Sequence, residues 1–133
     1  MKFMMMMHAP RTGWQDAGIG TWPPADIRAH IGFMVRINQE LTASGELVDA
    51  QGLAGPELAK FVIFDGGRAP VVTDGPFPES KELLAGYRMI DVESEARAIE
   101  IAAKASAAPG PGGVPMQQPI EVRQVMSAPA GGE

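Results

Sequence analysis

The sequence predicts an α+β fold, and three observations carry this prediction. The apolar run Phe3–Met7 is typical of a central strand that is covered on both faces. Apolar residues recur at helical spacing after Pro24 and again within residues 94–106. Short β-branched segments bounded by Gly and Pro lie between and after these helices. Two helices on one face of an antiparallel sheet give a ferredoxin-like βαββαβ unit, here with an added hairpin.

Length and composition indicate one domain in a reducing compartment. The 133 residues, 45% of them hydrophobic, suffice for one packed core, which we place at residues 1–126. The glycine-rich end at 127–133 has nothing to bury, and we expect it to be disordered. The absence of cysteine excludes disulfides and thiolate chemistry and fits a cytoplasmic location.

Charge and hydropathy argue against nucleic-acid and membrane partners. The formal net charge is -5, and Lys and Arg are scattered without a basic run, whereas nucleic-acid-binding domains usually carry a basic face. The apolar stretch at the N-terminus ends at His8 and is too short for a signal-peptide core or a membrane span. We therefore expect no nucleic acid and no membrane among the partners.

The first half of the chain divides into a strand, a loop, a helix, a short strand and a hairpin. Residues 9–23 are rich in Gly and Pro, and Pro24 suits the first turn of a helix. Gly45 is a typical helix stop before the short second strand. Lys60–Phe64 and residues 70–73 flank an Asp-Gly-Gly sequence, which predicts a β-hairpin because these residues tolerate positive φ.

The second half repeats the strand, helix, strand order. Residues 79–84 are expected to form one or two helical turns, and residues 86–92 a strand. The last strand is expected at 120–125, after a loop rich in Pro and Gly. In the helix at 94–106, the expected inward residues are Ile99, Ala102 and Ala103, and the expected outward residues are Glu95, Arg97, Glu100 and Lys104.

The strand composition also predicts a dimer. A four-stranded sheet with both helices on one side leaves apolar side chains on the other side, a patch too large for a soluble monomer. The residues expected there are Phe3 or Met5 or their alternates, Phe61, Ile63, and Met89 or Ile90. A two-fold, face-to-face pair of chains would bury them.

The segment after the hairpin carries the most specific pattern in the chain. Residues 72–82 read Val-Thr-Asp-Gly-Pro-Phe-Pro-Glu-Ser-Lys-Glu, and Gly-Tyr at 86–87 and Ile-Asp-Val at 90–92 follow. This pattern resembles the signature of the DGPF branch of the YCII-related proteins, and the order of elements agrees over residues 2–126. A lone Asp-Gly-Pro is a common turn, but eleven consecutive positions in register are far more specific.

The resemblance implies a dimeric α/β barrel, in which two ferredoxin-like subunits pair through the open faces of their sheets. Related barrels include cofactor-free monooxygenases of antibiotic biosynthesis and muconolactone isomerase, so the architecture supports several chemistries. The DGPF branch has no settled reaction, and its genes are often linked to extracytoplasmic-function sigma factors, which implies regulation. We therefore expect a homodimer, no cofactor, and a link to a sigma-factor system.

His30 is the first candidate catalytic residue. It shares a helical face with Met34, Ile37 and Leu41, so it points inward or to the edge of the sheet. The resemblance suggests an acid–base role, because YCII proteins have a histidine in a similar setting that is proposed to pair with an aspartate. This chain has His8 and its neighbours where that aspartate is expected. The alternative is a structural histidine that is hydrogen-bonded to the backbone.

The DGPF loop, residues 74–81, is the second candidate site. We predict Asp74 as a catalytic group in this loop. The predicted ligand-binding groups are Phe77, Glu79 and Lys81 of the loop and Tyr87, which follows it. Gly75 and Pro76 restrict the backbone, so the side chains are positioned at low entropic cost, and we expect Asp74, Phe77 and Lys81 to border a cavity or the dimer seam. The alternative is a structural turn with a surface pair of Glu79 and Lys81.

The methionines and His8 have two interpretations each. Met4–Met7 alternate between the faces of the first strand, either as core or as the lining of an apolar ligand site, and we favour core packing. His8 either lines a cavity mouth or faces solvent, and we favour solvent. Two histidines, no cysteine and no H-x-H or H-E-x-x-H spacing predict no transition-metal site.

Two functions therefore remain open. One is a small-molecule-binding or regulatory module, which we favour because the sequence supplies no complete catalytic set. The other is a cofactor-independent acid–base enzyme, an isomerase, lyase or monooxygenase-like protein, that acts on a small organic molecule through His30.

Overall fold

The computed structural model describes residues 1–10, 19–75 and 82–126 of the chain. The strands are β1 (Lys2–Pro10), β2 (Leu47–Gly52), β3 (Lys60–Ile63), β4 (Val71–Asp74), β5 (Glu82–Asp91) and β6 (Ile120–Gln124). The helices are α1 (Pro24–Ala43) and α2 (Glu95–Ser106). The predicted tail at 127–133 lies outside the described residues.

The main sheet is antiparallel and has the strand order β2-β5-β1-β6. This is the ferredoxin-like order, so the α+β fold predicted from the sequence is confirmed. Strands β3 and β4 form a separate two-stranded hairpin, which lies between β2 and β5 along the chain and outside the main sheet. Phe61 and Ile63 therefore belong to the hairpin, and their predicted place on the four-stranded sheet is wrong.

Helix α1 begins and ends as the sequence predicts. Pro24 occupies the first turn, where a missing N–H costs no helical hydrogen bond. At the other end Gly45 adopts φ +79°, a conformation that glycine reaches without a steric penalty. The N–H of Glu46 then donates to the carbonyl oxygen of Leu41 at 2.8 Å, which closes the turn toward β2.

Both helices pack on one face of the sheet. Phe3 and Met5 of β1 are 2% and 1% exposed and belong to the same core cluster as Ile37 and Leu41 of α1. Met4–Met7 alternate between the two faces, as predicted, because successive side chains of a strand point in opposite directions. Within the described residues, the other face of the sheet carries no helix. None of the described helices is long and apolar enough to cross a membrane.

The inward face of α2 differs from the prediction. Its buried residues are Ala98, Ile101, Ala102 and Ala105. Ile99 is 56% exposed, and Ala103 is also exposed. These four residues follow the i, i+3, i+4, i+7 spacing of one helical face. Ile101 and three alanines therefore form the inward face, and Ile99 lies outside it. Arg97, expected to point outward, is half-buried because it reaches Glu46.

The predicted helical turns at 79–84 are contradicted at 82–84, where β5 already begins; residues 79–81 lie outside the described residues. Leu83 is buried and pairs with Ala9, whereas Leu84 is exposed and pairs with His8. Strand pairing with β1 gives this segment the alternation of a strand, and short local periodicity could not reveal that partner.

Candidate functional site

His30 joins α1 to the loop that precedes β6. Its Nδ1 lies 3.0 Å from the carbonyl oxygen of Pro109, and its ring makes an edge-to-face contact with Trp22 at a centroid distance of 5.4 Å. Asp26 binds the same loop by accepting from the N–H of Gly112 at 3.1 Å. A carbonyl oxygen only accepts, so Nδ1 of the neutral ring carries the proton. Among the described residues no carboxylate bonds His30, and these contacts correspond to the structural alternative.

Asp74 lies on the surface at the end of β4. Its Oδ1 accepts from Nζ of Lys60 at 2.6 Å, and the Asp74 side chain is 80% exposed. Gly75 follows with φ +76° and donates its N–H to the carbonyl oxygen of Ala59 at 2.8 Å. The described part of the DGPF loop is thus the end of β4 and a bend at Gly75, which bond Lys60 and Ala59. The predicted site residues Phe77, Glu79 and Lys81 lie outside the described residues.

Tyr87 lies on the sheet face opposite the helices, which we call the open face. The half-buried side chains of the open face are Met4, Met6, His8, Asp49, Tyr87 and Met89, and its exposed side chains include Gln51, Leu84, Glu121 and Arg123. Strand register places Met4 opposite Met89 and Met6 opposite Tyr87. The patch expected from the sequence is therefore present in part, with the alternates Met4 and Met6 in place of Phe3 and Met5.

The Tyr87 hydroxyl is fixed by Asp49. It donates to Oδ2 of Asp49 at 2.9 Å, and Oδ1 of Asp49 accepts from the N–H of Ala50 at 2.9 Å and from Nε2 of Gln51 at 3.1 Å. The hydrogen bond to Asp49 raises the pKa of Tyr87 above its ordinary value. Tyr87 therefore stays protonated at neutral pH, and its oxygen keeps acceptor capacity for another donor.

His8 forms a histidine–carboxylate pair on the open face. Its Nε2 lies 3.0 Å from Oε1 of Glu121, and the two side chains are 25% and 43% exposed. The β1–β6 register explains the contact, because Glu121 pairs with Met6, the neighbour of His8 on the same face. His8 is therefore held to the sheet by Glu121 and does not project freely into solvent.

Arg88 is a buried residue that sequence reasoning missed. It alternates with Tyr87 and Met89 and so points to the helix side of β5, where it is 2% exposed. Its Nε–H donates to Oδ1 of Asn38 at 2.8 Å, and its Nη2–H approaches Sδ of Met34 at 3.6 Å. Burial lowers the pKa of Arg88. Counting alternate positions back from the apolar residue at 90 would have placed this arginine inward.

A family model for the YCII-related domain matches residues 1–114 of the chain. The chain belongs to the YCII-related family. The match covers most of the sequence and confirms the resemblance at the level of the family, whereas the DGPF branch stays a prediction. No curated protein matches the chain.

Two arrangements of polar side chains lie on opposite sides of the main sheet of this YCII-related chain. The open face holds the pairs Tyr87–Asp49 and His8–Glu121 beside the methionines. The layer between α1 and the sheet holds Arg88. His30 and Asp74 belong to neither arrangement. His30 bonds the carbonyl oxygen of Pro109, and Asp74 bonds Lys60 of β3.

Proposed function

We propose that this YCII-related protein is a small-molecule-binding homodimer whose two open faces meet and enclose the ligand. The observation that carries the proposal is the composition of the open face. Methionines occupy its centre, and two hydrogen-bonded polar pairs, Tyr87–Asp49 and His8–Glu121, stand beside them. Ligand sites in proteins are mostly apolar with a few fixed polar groups, and the open face has this composition.

A second copy of the chain is the partner that best suits this face. Both helices already cover the other side of the sheet, and a two-fold pair would place each open face against an identical one. Met4, Met6 and Met89 supply adaptable apolar surface. Two facing sheets would remove these side chains from water and leave the polar pairs at the margin of the enclosed space.

The polar pairs indicate which ligand the space would accept. The Tyr87 hydroxyl already donates its hydrogen to Asp49, so toward a ligand its oxygen can act only as a hydrogen-bond acceptor. The methionines favour an apolar body. We therefore propose a small organic molecule with an apolar body and a hydrogen-bond donor. The link to a sigma-factor system stays a prediction from the resemblance.

A fragment screen with methyl-labelled methionine tests the proposal. Neutral fragments with one donor should shift the methyl signals of Met4, Met6 and Met89, and Tyr87→Phe should weaken their binding at least about fivefold because the fixed oxygen is lost. Lys60→Met, on the hairpin, is the control and should leave binding unchanged. A screen in which no fragment shifts these three methyl signals would contradict the proposal.

The His8–Glu121 pair supports the acid–base enzyme as a second candidate function. An imidazole whose Nε2–H donates to a carboxylate leaves Nδ1 as the basic nitrogen. In this second candidate function the base is His8 and not His30. A bound fragment with an acidic C–H, incubated in D2O, should then gain deuterium with the wild-type protein and not with His8→Gln. Binding without deuterium uptake would leave the binding function alone.

A further inference from the structure

Arg88 is a buried charge without a counter-ion in the part of the chain that the structure describes. Its Nε–H bonds the Asn38 amide oxygen and its Nη2–H approaches the Met34 sulfur, a weak acceptor. Nη1 is buried and has no hydrogen-bond partner within the described residues, and no carboxylate of those residues lies within 4.0 Å of the guanidinium.

Such an arrangement is costly for a folded protein. Removing a charge from water has a large penalty that is offset only when a counter-charge and hydrogen bonds replace the water. A buried arginine does not become neutral at physiological pH, because the guanidinium group keeps its proton in proteins. An anion that bonds Nη1 and Nη2 would satisfy the free donors and balance the charge.

We infer that the layer between α1 and the sheet binds a small organic monocarboxylate, with Arg88 as its receptor and Asn38 as the residue that positions Arg88. This site lies on the opposite side of the sheet from the open face, so the inference does not depend on the proposed dimer or its ligand.

The surroundings of Arg88 indicate the ligand class. Its neighbours across the sheet are Met5 in β1 and Ala50 in β2, and Met34 lies above it on α1. These side chains suit an apolar body, and the two methionines can change rotamer to admit one. One guanidinium balances one negative charge, so a monoanion suits this layer better than a phosphate dianion, whose desolvation penalty is larger. Because β2 is an edge strand and Ala50 is half-buried, we place the entry of the ligand beside Ala50.

Benzoate and its neutral amide, benzamide, are the matched probes. Benzoate should bind the full-length protein at least about tenfold more tightly than benzamide, because only benzoate makes the charge-assisted pair. In the wild-type protein, benzoate should shift the Nε–H signal of Arg88 and the methyl signals of Met5 and Met34. The methyl signals of Met4 and Met6 on the open face should stay unchanged, which separates this site from the proposed ligand site there.

The substitution Arg88→Met is the second test of the proposed binding site. It should reduce benzoate affinity at least about tenfold and raise the melting temperature without ligand, because an uncompensated buried charge has been replaced by an apolar group. Arg68→Met, at an exposed position in the turn between β3 and β4, is the control and should change neither quantity. The wild-type spectra remain decisive if Arg88→Met does not fold. Equal affinity for benzoate and benzamide, an unchanged Arg88 signal, or preferential binding of inorganic phosphate would each overturn the inference.

Discussion

Arg97 of α2 holds Glu46, in the turn between α1 and β2, with two parallel hydrogen bonds. Nε of Arg97 lies 2.9 Å from Oε2 of Glu46, and Nη2 lies 2.9 Å from Oε1. The hydroxyl of Ser44 also donates to Oε1 at 2.7 Å. The Glu46 side chain is 17% exposed and that of Arg97 32%, so this pair is partly shielded from water and connects the first half of the fold to the second.

Glu46→Gln should therefore lower the free energy of unfolding by about 1–2 kcal/mol, because a charge-assisted two-bond contact becomes a neutral one. Glu100→Gln is the matched control, since Glu100 pairs with the same Arg97 but its side chain is 70% exposed. Its effect should stay below about 0.5 kcal/mol. Urea unfolding of both variants measures the difference, and equal losses would contradict the importance of burial here.

The same pair predicts a pH dependence of stability. The hydrogen bonds from Arg97 lower the pKa of Glu46 from 4.5 to about 2. In the unfolded chain Glu46 takes up its proton at higher pH than in the folded chain, so acid favours unfolding. The contribution of Glu46 should be complete above pH 5 and should disappear as the pH falls toward 2. Wild type should lose more stability than Glu46→Gln over this range, and parallel curves would disprove the linkage.

His30→Ala should act on the loop that precedes β6. The substitution removes the hydrogen bond to Pro109 and the ring contact with Trp22, so we expect a loss of about 1–3 kcal/mol. Amide exchange should become faster at 110–116 and stay unchanged in the hairpin at 60–74. Unchanged stability combined with lost fragment binding would instead assign His30 to a ligand site.

Gly75→Ala should destabilise the hairpin through backbone conformation alone. An added Cβ would meet no atom within 4 Å, but φ is +76° at this position, which costs a residue with a side chain about 1–2 kcal/mol. Gly52→Ala is the control, because its Cβ also meets no atom within 4 Å and its φ is not positive. Amide exchange of β3 and β4 measures the effect, and equal behaviour of the two variants would show that the glycine in the DGPF loop has another role.

Local signals in the sequence were sufficient for both helices and for the order of the strands, but not for the start of β5. Pro24 and Gly45 mark the ends of α1 through backbone constraints that act within one turn. The period of two in Phe3–Met7 specifies which side chains share a face. These features need no knowledge of distant partners, so they can be predicted from a single sequence.

Tyr87 of the open face was predicted as a site residue, but the contact between His8 and Glu121 depends on distant partners and could not be predicted from local patterns. His8 and Glu121 are 113 residues apart, and their contact requires the β1–β6 register. The pairing of β1 with β5 also shifts register between Met7 and His8, which no local pattern predicts. Arg88 was missed for a different reason, because charged residues are rarely buried and are assigned to the surface by default.

Light scattering at micromolar concentration tests the central claim, that two chains pair through their open faces. The wild-type protein should have a mass of about 28 kDa, twice the 14.1 kDa of one chain. Met6→Asp places a charge at the centre of the open face and should give the monomer mass, because the charge would lose water on pairing. Met126→Asp, at a side chain that is 91% exposed, should leave the mass unchanged. A wild-type mass near 14.1 kDa, or a Met6→Asp protein that remains a dimer, would contradict the account.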